Sequence, residues 1–205
     1  MLFRRDPAVD NNTVWHRIFG PTLGAVALFL LEVIQIVIIS AAIIIPVRYF
    51  LIQPFYVKGA SMEPEFYDHE YLIIDEISYR LGDPERGAII VFRYPRDPSQ
   101  FFIKRVIGLP GETVEVNDGR VTIYNDAHPE GVTLDETYLE VQFTAGHKKV
   151  TLGDSEYFVL GDNRDASLDS RSFGAVSRDL IVGKVWLRGL PVNKMTLFDA
   201  PDYNL

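Results

Sequence analysis

The chain has 205 residues and a formal net charge of −8, and 47% of its residues are aliphatic or aromatic, which is enough for one domain with a substantial core. It contains no cysteine, so disulfide bonds, zinc–cysteine sites and cysteine nucleophiles are excluded. Residues 1–58 carry five Lys and Arg against three Asp and Glu, which leaves a net charge of −10 on the rest. A domain this acidic repels a phosphate backbone, and we therefore expect no nucleic-acid partner.

The first predicted element is a membrane-spanning helix. From Leu23 to Ile45 the sequence is apolar except for Glu32, Gln35 and Ser40, and the run is long enough to cross a hydrocarbon core of about 30 Å. A cleavable signal peptide has a shorter apolar run, so we predict a retained anchor, with a buried core helix as the alternative. We place the span at residues 29–50, because a more N-terminal register puts Glu32 near the middle of the membrane.

The charges on either side of this helix predict its orientation. Arg4, Arg5 and Arg17 precede the apolar run, whereas Arg48 and Lys58 follow it. Lys and Arg are enriched on the cytoplasmic side of a span. We therefore predict that residues 1–28 form a cytoplasmic segment and that residues 51–205 form a domain outside the cytoplasm.

The rest of the chain has the pattern of short β-strands separated by turns. Asp118-Gly119, which lies between two β-prone runs, predicts a β-hairpin. Residues 125–155 are polar and rich in turn residues, and they predict a small insertion between two β-rich halves. The predicted strands are residues 71–75, 88–93, 101–107, 113–116, 121–124, 157–160 and 181–187.

The first segment that could carry chemistry is the run from Gly59 to Pro64, which contains Ser61. Gly59 permits unusual backbone angles, and Pro64 fixes its own φ. A serine held on such a turn can present its hydroxyl and its backbone N–H to one carbonyl group. Taken alone, a segment of this kind is usually an ordinary turn.

The second segment contains Lys104 on a predicted strand, where it shares a face with Phe102 and Val106. Apolar surroundings lower the pKa of a lysine because they disfavour the ammonium form. A neutral amine near pH 7–8 can act as a general base toward a serine hydroxyl. The simpler interpretation is a lysine whose charged end reaches solvent from the edge of a strand.

The third segment, from Leu160 to Gly174, is the densest in Asp, Asn, Ser and Arg. Such side chains cap turns and bond to the backbone, so the segment fits either a solvated loop or a scaffold that orients catalytic groups. Arg164 and Arg171 argue against a calcium loop, and we predict no metal and no cofactor. None of the histidines lies in a motif, and we expect no catalytic role for them: His16, His69, His128 and His147.

Together these segments resemble the type I signal peptidases (leader peptidases), which are serine proteases with a Ser–Lys dyad. Four stretches match in chain order, at residues 59–64, 87–92, 104–112 and 161–174, within a similarity that covers residues 30–190. The resemblance implies a mainly β fold. The expected architecture is an antiparallel β catalytic core with a small inserted domain, preceded by one N-terminal transmembrane helix.

The resemblance also implies the roles of the central residues. Ser61 is expected to be the nucleophile and Lys104 the general base, and Ser167 is expected to bond to the Lys104 amine and orient it. Met62 is expected to pack beside a substrate pocket, which in this family favours small side chains at the first and third positions before the cut.

Two ion pairs near the site are implied in the same way, Asp169 with Arg171 and Asp162 with Arg105. One position departs from some members of the family, which carry a hydroxyl residue where this chain has Gly59. That hydroxyl helps to bind the oxyanion. We therefore expect another backbone group or a water molecule to supply the second donor here.

The function implied is that of a membrane-bound endopeptidase that removes N-terminal signal peptides from exported preproteins. Its expected partners are those signal peptides and the membrane lipid, with the secretion translocon as a further candidate. The expected location is the outer face of a bacterial plasma membrane, with a thylakoid or inner mitochondrial membrane as the alternative. The rival functions are a self-cleaving repressor-type protease, a non-enzymatic binding protein and an inactive paralogue.

Overall fold

The computed structural model describes residues 11–46, 53–201 and 203–205. The chain divides between Tyr49 and Phe50 into two compact units. Residues 1–10 of the predicted cytoplasmic segment, and residues 47–50 of the predicted span, lie outside the described residues.

The N-terminal unit is a single helix, α1, which runs from Asn11 to Pro46. Within it, Ala25–Ile45 has a mean hydropathy of 2.8, and none of this stretch is buried inside the molecule. The helix is long and apolar enough to cross a membrane. Its exposure does not fit the alternative of a core helix, which requires burial. The apolar stretch begins at Ala25, a few residues before the predicted start of the span.

The second unit is built from antiparallel β-strands, which confirms the predicted fold class. The strands are β1 Gln53–Tyr56, β2 Tyr71–Asp75, β3 Ile89–Tyr94, β4 Asp97–Gly108, β5 Thr113–Asn117, β6 Arg120–Asn125, β7 His128–Thr133, β8 Lys148–Thr151, β9 Glu156–Leu160, β10 Val176–Ser177, β11 Ile181–Leu190 and β12 Thr196–Leu197. The larger sheet has eight strands in the order β1-β2-β11-β3-β4-β9-β10, with β12 paired to β11. Two short helices also belong to this unit, α2 (Ser78–Leu81) and α3 (Ser170–Phe173).

A smaller sheet of four strands, in the order β7-β6-β5-β8, is inserted between β4 and β9. The insertion therefore begins at Thr113, whereas the sequence places it at residues 125–155. The predicted hairpin at Asp118-Gly119 is present, with both residues at positive φ. Local turn signals identify a hairpin but not the sheet that it joins, because that depends on the distant pairing of β5 with β8. Strand β7, predicted as a loop, tolerates Pro129 because it lies at the edge of the sheet.

Alternating side chains of the strands form three buried clusters. One lies on β3, β4 and β9 and contains Phe92 and Val106. A second joins the smaller sheet to β9. The third matters most for function, because it holds Met62 and Phe66 from the loop between β1 and β2 against Ile74 of β2. The loop that carries Ser61 is therefore anchored in the core rather than lying free on the surface.

Gly108, at the end of β4, is packed so closely that a methyl group has no room. A Cβ at this position would overlap the side chain of Val114 and lie 2.9 Å from Leu152 Cδ1. We predict that Gly108→Ala lowers the free energy of unfolding by about 1–3 kcal/mol, the usual cost of overpacking a core. Urea unfolding in detergent measures it. Gly82→Ala is the control, since its Cβ would make only an ordinary contact, 3.5 Å from Ser78 O. Equal losses in the two variants would contradict the packing described.

Candidate active site

Ser61 lies in the loop between β1 and β2, and the loop is shaped by its own backbone. Gly59 has a φ of +89°, a conformation that side chains other than glycine rarely adopt, and its N–H donates to Asp68 Oδ1 at 3.0 Å. Further along, the Phe66 N–H donates to Met62 O at 2.9 Å. Since Phe66 and Met62 are both buried, the turn that follows Ser61 is fixed at its base.

Lys104 reaches Ser61 from the neighbouring part of the sheet. It lies on β4 opposite Ile90 of β3, and only 3% of the residue is exposed. Its Nζ is 2.7 Å from Ser61 Oγ and 2.7 Å from the carbonyl oxygen of Ile103. Nζ also lies 5.6 Å from the centroid of the Phe102 ring, so its surroundings are largely apolar.

Burial lowers the pKa of the Lys104 amine from 10.5 to about 8, and the charges of Asp169 and Asp162 oppose this fall only in part. A substantial fraction of the amine is therefore neutral near pH 8. A neutral amine can donate one N–H to Ile103 O while its lone pair accepts the hydroxyl proton of Ser61. The contact thus has the geometry and the protonation state that a nucleophile–base pair needs.

A cavity of about 620 Å³ opens beside this pair. Its apolar lining includes Leu72, Val91, Ile103 and Leu168, together with Ser61 and Lys104 themselves. Its volume lies within the range of ordinary ligand sites.

The predicted position of Met62 beside the pocket needs a refinement. Met62 is 1% exposed and is not one of the cavity-lining residues. It belongs instead to the buried cluster that includes Leu72 and Val91, both of which line the cavity. Its contact with substrate is therefore indirect, through the side chains in front of it.

The segment from Leu160 to Gly174 lies directly against the Ser61 loop. The Asn163 N–H donates to Ser61 O at 3.1 Å. Asp162 forms a bidentate pair with Arg105, with Oδ1 2.9 Å from Nε and Oδ2 2.7 Å from Nη2. Burial by itself lowers the pKa of the Arg105 guanidinium, but the hydrogen bonds and charge of Asp162 outweigh this and raise it. This pair connects the strand that carries Lys104 to the loop that holds the Ser61 backbone.

Asp169 and Arg171 form a second ion pair in the same segment. The Asp169 carboxylate is fully buried, and it lies 2.8 Å from both Nε and Nη2 of Arg171. It also accepts the N–H of Gly161 at 3.2 Å and the N–H of Arg171 at the start of α3. One carboxylate therefore fixes the beginning and the end of the loop between β9 and α3.

The expected hydrogen bond between Ser167 and the Lys104 amine is absent. Ser167 Oγ is buried and has no hydrogen-bond partner among the described residues. The amine instead bonds to Ser61 and to the carbonyl of Ile103. The sequence places Ser167 in the correct loop, but the partners of a hydroxyl and an amine depend on side-chain rotamers, which the sequence pattern does not specify.

Some residues that shape the site were missed by the sequence analysis. Arg164, buried behind the site, pairs with Glu136 and donates to Thr144, both of which lie in the region predicted as a polar insertion. Arg188 of β11 contacts the Ser61 loop from the other side. No sequence signal marked Arg188, because it lies one residue beyond the predicted strand 181–187.

Two of the histidines have defined hydrogen-bond partners away from the Ser61–Lys104 contact. His69 Nδ1 bonds to the hydroxyl of Tyr56, a residue that lines the cavity, and His147 Nδ1 bonds to Asn117 on the smaller sheet. No histidine is among the residues that line the cavity. Among the described residues there is no cluster of His, Asp or Glu suited to a metal ion.

Comparison with known proteins defines the class to which this fold and site belong. The family described as "Signal peptidase, peptidase S26" matches residues 30–189, and the chain belongs to this family of peptidases. A probable signal peptidase I-2 from Synechocystis sp. is 38% identical over 82% of this chain and 76% of that protein. The signal peptidase I of Leptolyngbya laminosa is 39% identical over 84% of this chain and 85% of that protein.

A solved structure of a signal peptidase I from Enterococcus faecalis V583 is also similar. It is 37% identical in sequence to the matched part, with a TM-score of 0.43. The match covers 51% of this chain and 97% of that chain.

Gly161 allows the closest approach between the two loops of the site. A Cβ at this position would overlap the carbonyl oxygen of Ser61 and the side chain of Ser167. We predict that Gly161→Ala displaces the Ser61 backbone and lowers peptidase activity by about 100-fold, the effect expected of a misplacement near 1 Å.

Turnover of a peptide substrate in detergent measures this effect. Gly153→Ala is the matched control, because its Cβ would approach only the flexible side chain of Glu156, at 3.4 Å or more. If Gly161→Ala kept the activity of Gly153→Ala, the close packing of the two loops would not control the site.

Proposed function

We propose that the protein is a membrane-anchored endopeptidase that removes signal peptides from exported preproteins, with Ser61 as nucleophile and Lys104 as general base. The observation that carries the proposal is the 2.7 Å contact between Lys104 Nζ and Ser61 Oγ, made by a buried lysine at the wall of an apolar cavity. Lysine general bases act in the neutral form, and burial lowers the pKa of this amine to about 8.

In the first half of the reaction, neutral Lys104 accepts the hydroxyl proton of Ser61 while Ser61 Oγ attacks the carbonyl carbon of the scissile bond. The negative charge moves to the carbonyl oxygen of the tetrahedral intermediate. The Ser61 N–H donates to no acceptor among the described residues, so it is available to that oxygen. The Lys104 ammonium then gives its proton to the leaving amine, the C–N bond breaks, and an ester on Ser61 remains.

In the second half, a water molecule takes the place of the leaving amine. Lys104 is neutral again and accepts a proton from the water as its oxygen attacks the ester carbonyl. The second tetrahedral intermediate collapses, and Ser61 Oγ leaves with the proton from Lys104. Enzyme and carboxylate product are released with no net change in the protein.

The second hydrogen-bond donor to the oxyanion is a group other than Gly59. This residue has no side chain, and its N–H already donates to Asp68. A water molecule or another backbone N–H that meets the bound substrate fills the role. Losing one of two oxyanion donors without replacement costs about 2.7–4 kcal/mol, so the site depends on this second group.

The remaining predicted residues support the dyad. The Asp162–Arg105 and Asp169–Arg171 pairs hold the loop that bonds to the Ser61 backbone, and Met62 lies behind the cavity wall. Ser167 lies next to Gly161, and its buried hydroxyl has no hydrogen-bond partner among the described residues.

The substrate class follows from the cavity and the relatives. The cavity is lined mainly by aliphatic and aromatic side chains, which favours an apolar segment, and the family resemblance implies small side chains near the cut. The relatives named above are described as signal peptidases I. Signal peptides of exported preproteins are therefore the proposed substrates, and the secretion translocon is a candidate partner.

The proposed location rests on α1 and on the flanking charges. The apolar stretch Ala25–Ile45 would span the lipid. The cytoplasmic segment would lie within residues 1–28, before this stretch, and the catalytic domain from residue 51 would lie on the outer face. The bacterial plasma membrane is the proposed compartment, with a thylakoid or inner mitochondrial membrane as the alternative.

We predict that Ser61→Ala and Lys104→Ala each reduce preprotein cleavage by about 10⁴-fold or more, because a nucleophile and its base act as one unit. The assay is cleavage in detergent, with sequencing of the product N-terminus to locate the cut after a small residue. Lys149→Ala is the control, since Lys149 is half-exposed and pairs with Glu115 on the smaller sheet. Substantial cleavage by Lys104→Ala would show that another group is the base.

A further inference from the structure

We infer that Arg188 is a positioning residue, which fixes the loop that carries Ser61 at the correct distance from Lys104. The inference rests on the proposed function of that pair and names a group outside it. Arg188 lies on β11 and does not line the cavity. Its influence on the reaction is therefore exerted through the loop, not through contact with substrate.

The guanidinium of Arg188 packs against two adjacent aromatic rings. Its carbon lies 5.3 Å from the centroid of Phe66 and 5.2 Å from that of Phe198, and the residue is 9% exposed. Phe66 belongs to the Ser61 loop and is itself fully buried. The centroids of the two rings lie 4.7 Å apart, so Arg188 faces both rings from one side, and this packing couples the position of Phe66 to that of Arg188.

Arg188 makes polar contacts with Glu65 and Glu70, two residues in the second half of the loop that carries Ser61. Its Nη2 donates to the carbonyl oxygen of Glu65 and lies 3.7 Å from the Glu65 carboxylate. Its Nε lies 3.0 Å from the carboxylate of Glu70, which is almost completely buried. One side chain thus spans the loop from residue 65 to residue 70.

The same contacts connect the loop to the strand of the base. The Glu65 carboxylate lies 4.0 Å from Arg105 Nη2, and Arg105 directly follows Lys104 on β4. Arg105 in turn forms the bidentate pair with Asp162. Charges of alternating sign therefore run without a break from Arg188 to the segment that bonds to the Ser61 backbone, and each neighbour opposes a shift of the loop relative to β4.

Lysine cannot replace arginine in this arrangement. An ammonium group offers a single charged centre, whereas the guanidinium presents a planar fork that reaches Glu65 and Glu70 together and packs flat against neighbouring rings. The Arg188→Lys variant keeps a positive charge near Glu70, a carboxylate that Lys194 Nζ also approaches at 4.0 Å. The change therefore loosens the loop while keeping the charge of the cluster.

Arg178 supplies a matched control. It also bonds to backbone carbonyls, those of Tyr79 and Gly82, pairs with a carboxylate, that of Asp83, and lies 5.7 Å from an aromatic centroid, that of Tyr79. None of these groups belongs to the Ser61 loop. Arg178→Lys therefore removes contacts of the same kinds at a place that does not affect the nucleophile.

The experiment uses the full chain in detergent and measures two rates. The first is cleavage of a preprotein, separated into kcat and KM. The second is acetylation of Ser61 by p-nitrophenyl acetate, a small ester that does not need the substrate cavity. For Arg188→Lys we expect kcat and the acetylation rate to fall about 10- to 100-fold, with KM changed less than about twofold, because the nucleophile is misplaced and the cavity is intact.

Arg178→Lys should keep both rates within about twofold of the wild type, even if it loses as much thermal stability. The inference would be overturned if both variants lost rate in the same proportion to their loss of thermal stability. It would also be overturned if Arg188→Lys changed KM alone. If Arg188→Lys does not fold, Glu65→Gln takes its place and should slow acetylation several-fold; an unchanged rate in that variant also overturns it.

The acetylation assay tests the role of Arg188 separately from the proposed substrate class. A wild-type chain that is acetylated at Ser61 but does not cut preproteins would contradict the proposed substrate class. The ratio of acetylation rates between Arg188→Lys and Arg178→Lys would still decide the role of Arg188.

Discussion

The contact between the Lys104 amine and the Ser61 hydroxyl is the interaction on which the rest of the structure depends. The fall in the Lys104 pKa from 10.5 to about 8 corresponds to about 3 kcal/mol in favour of the amine over the ammonium form. Water at the amine would abolish this shift, because desolvation is its main cause. The fold must therefore keep bulk water away from the Lys104 amine, which is accessible only from the side of Ser61 and the cavity.

The antiparallel sheet and the ion pairs meet this requirement in different ways. Strand β4 pairs with β3 at Lys104 and with β9 from Arg105 onward, and its residues 104–108 are all buried. The loops around it contain buried charges, and each has a partner: Asp162 with Arg105, and Asp169 with Arg171. Buried ion pairs add little net stability, since desolvation offsets their attraction. Their contribution here is to specify where the loops lie.

How far the sequence determines the fold depends on the range of the contacts involved. Strand β2 is predicted to the residue at Tyr71–Asp75, and the Asp118-Gly119 hairpin follows from its turn residues, because both signals are local. The start of the inserted sheet at Thr113 and the strand character of β7 could not be predicted in this way. They depend on pairing between distant segments and on which edge of a sheet a strand occupies.

The same distinction applies to the site. Ser61 and Lys104 were identified by residue type and by family resemblance, and the structure brings them together. The partners of Ser167 and the loop contacts of Arg188 were not predictable, because both depend on side-chain rotamers and on packing between distant strands. The four matching sequence stretches therefore identify the candidate nucleophile and base, whereas the residues that hold them in place emerge only from the three-dimensional structure.

The most direct test of the account is the pKa of Lys104 itself, measured by NMR titration of the lysine side chains in the full chain, with Lys104→Arg to assign the signal. Below that pKa the amine is protonated and cannot accept the Ser61 proton; above it the amine is neutral and can. We predict a value of about 8, at which the acidic limb of the cleavage rate has its midpoint as well. A Lys104 pKa near its ordinary value of 10.5 would contradict the central claim that burial prepares this lysine to act as a base.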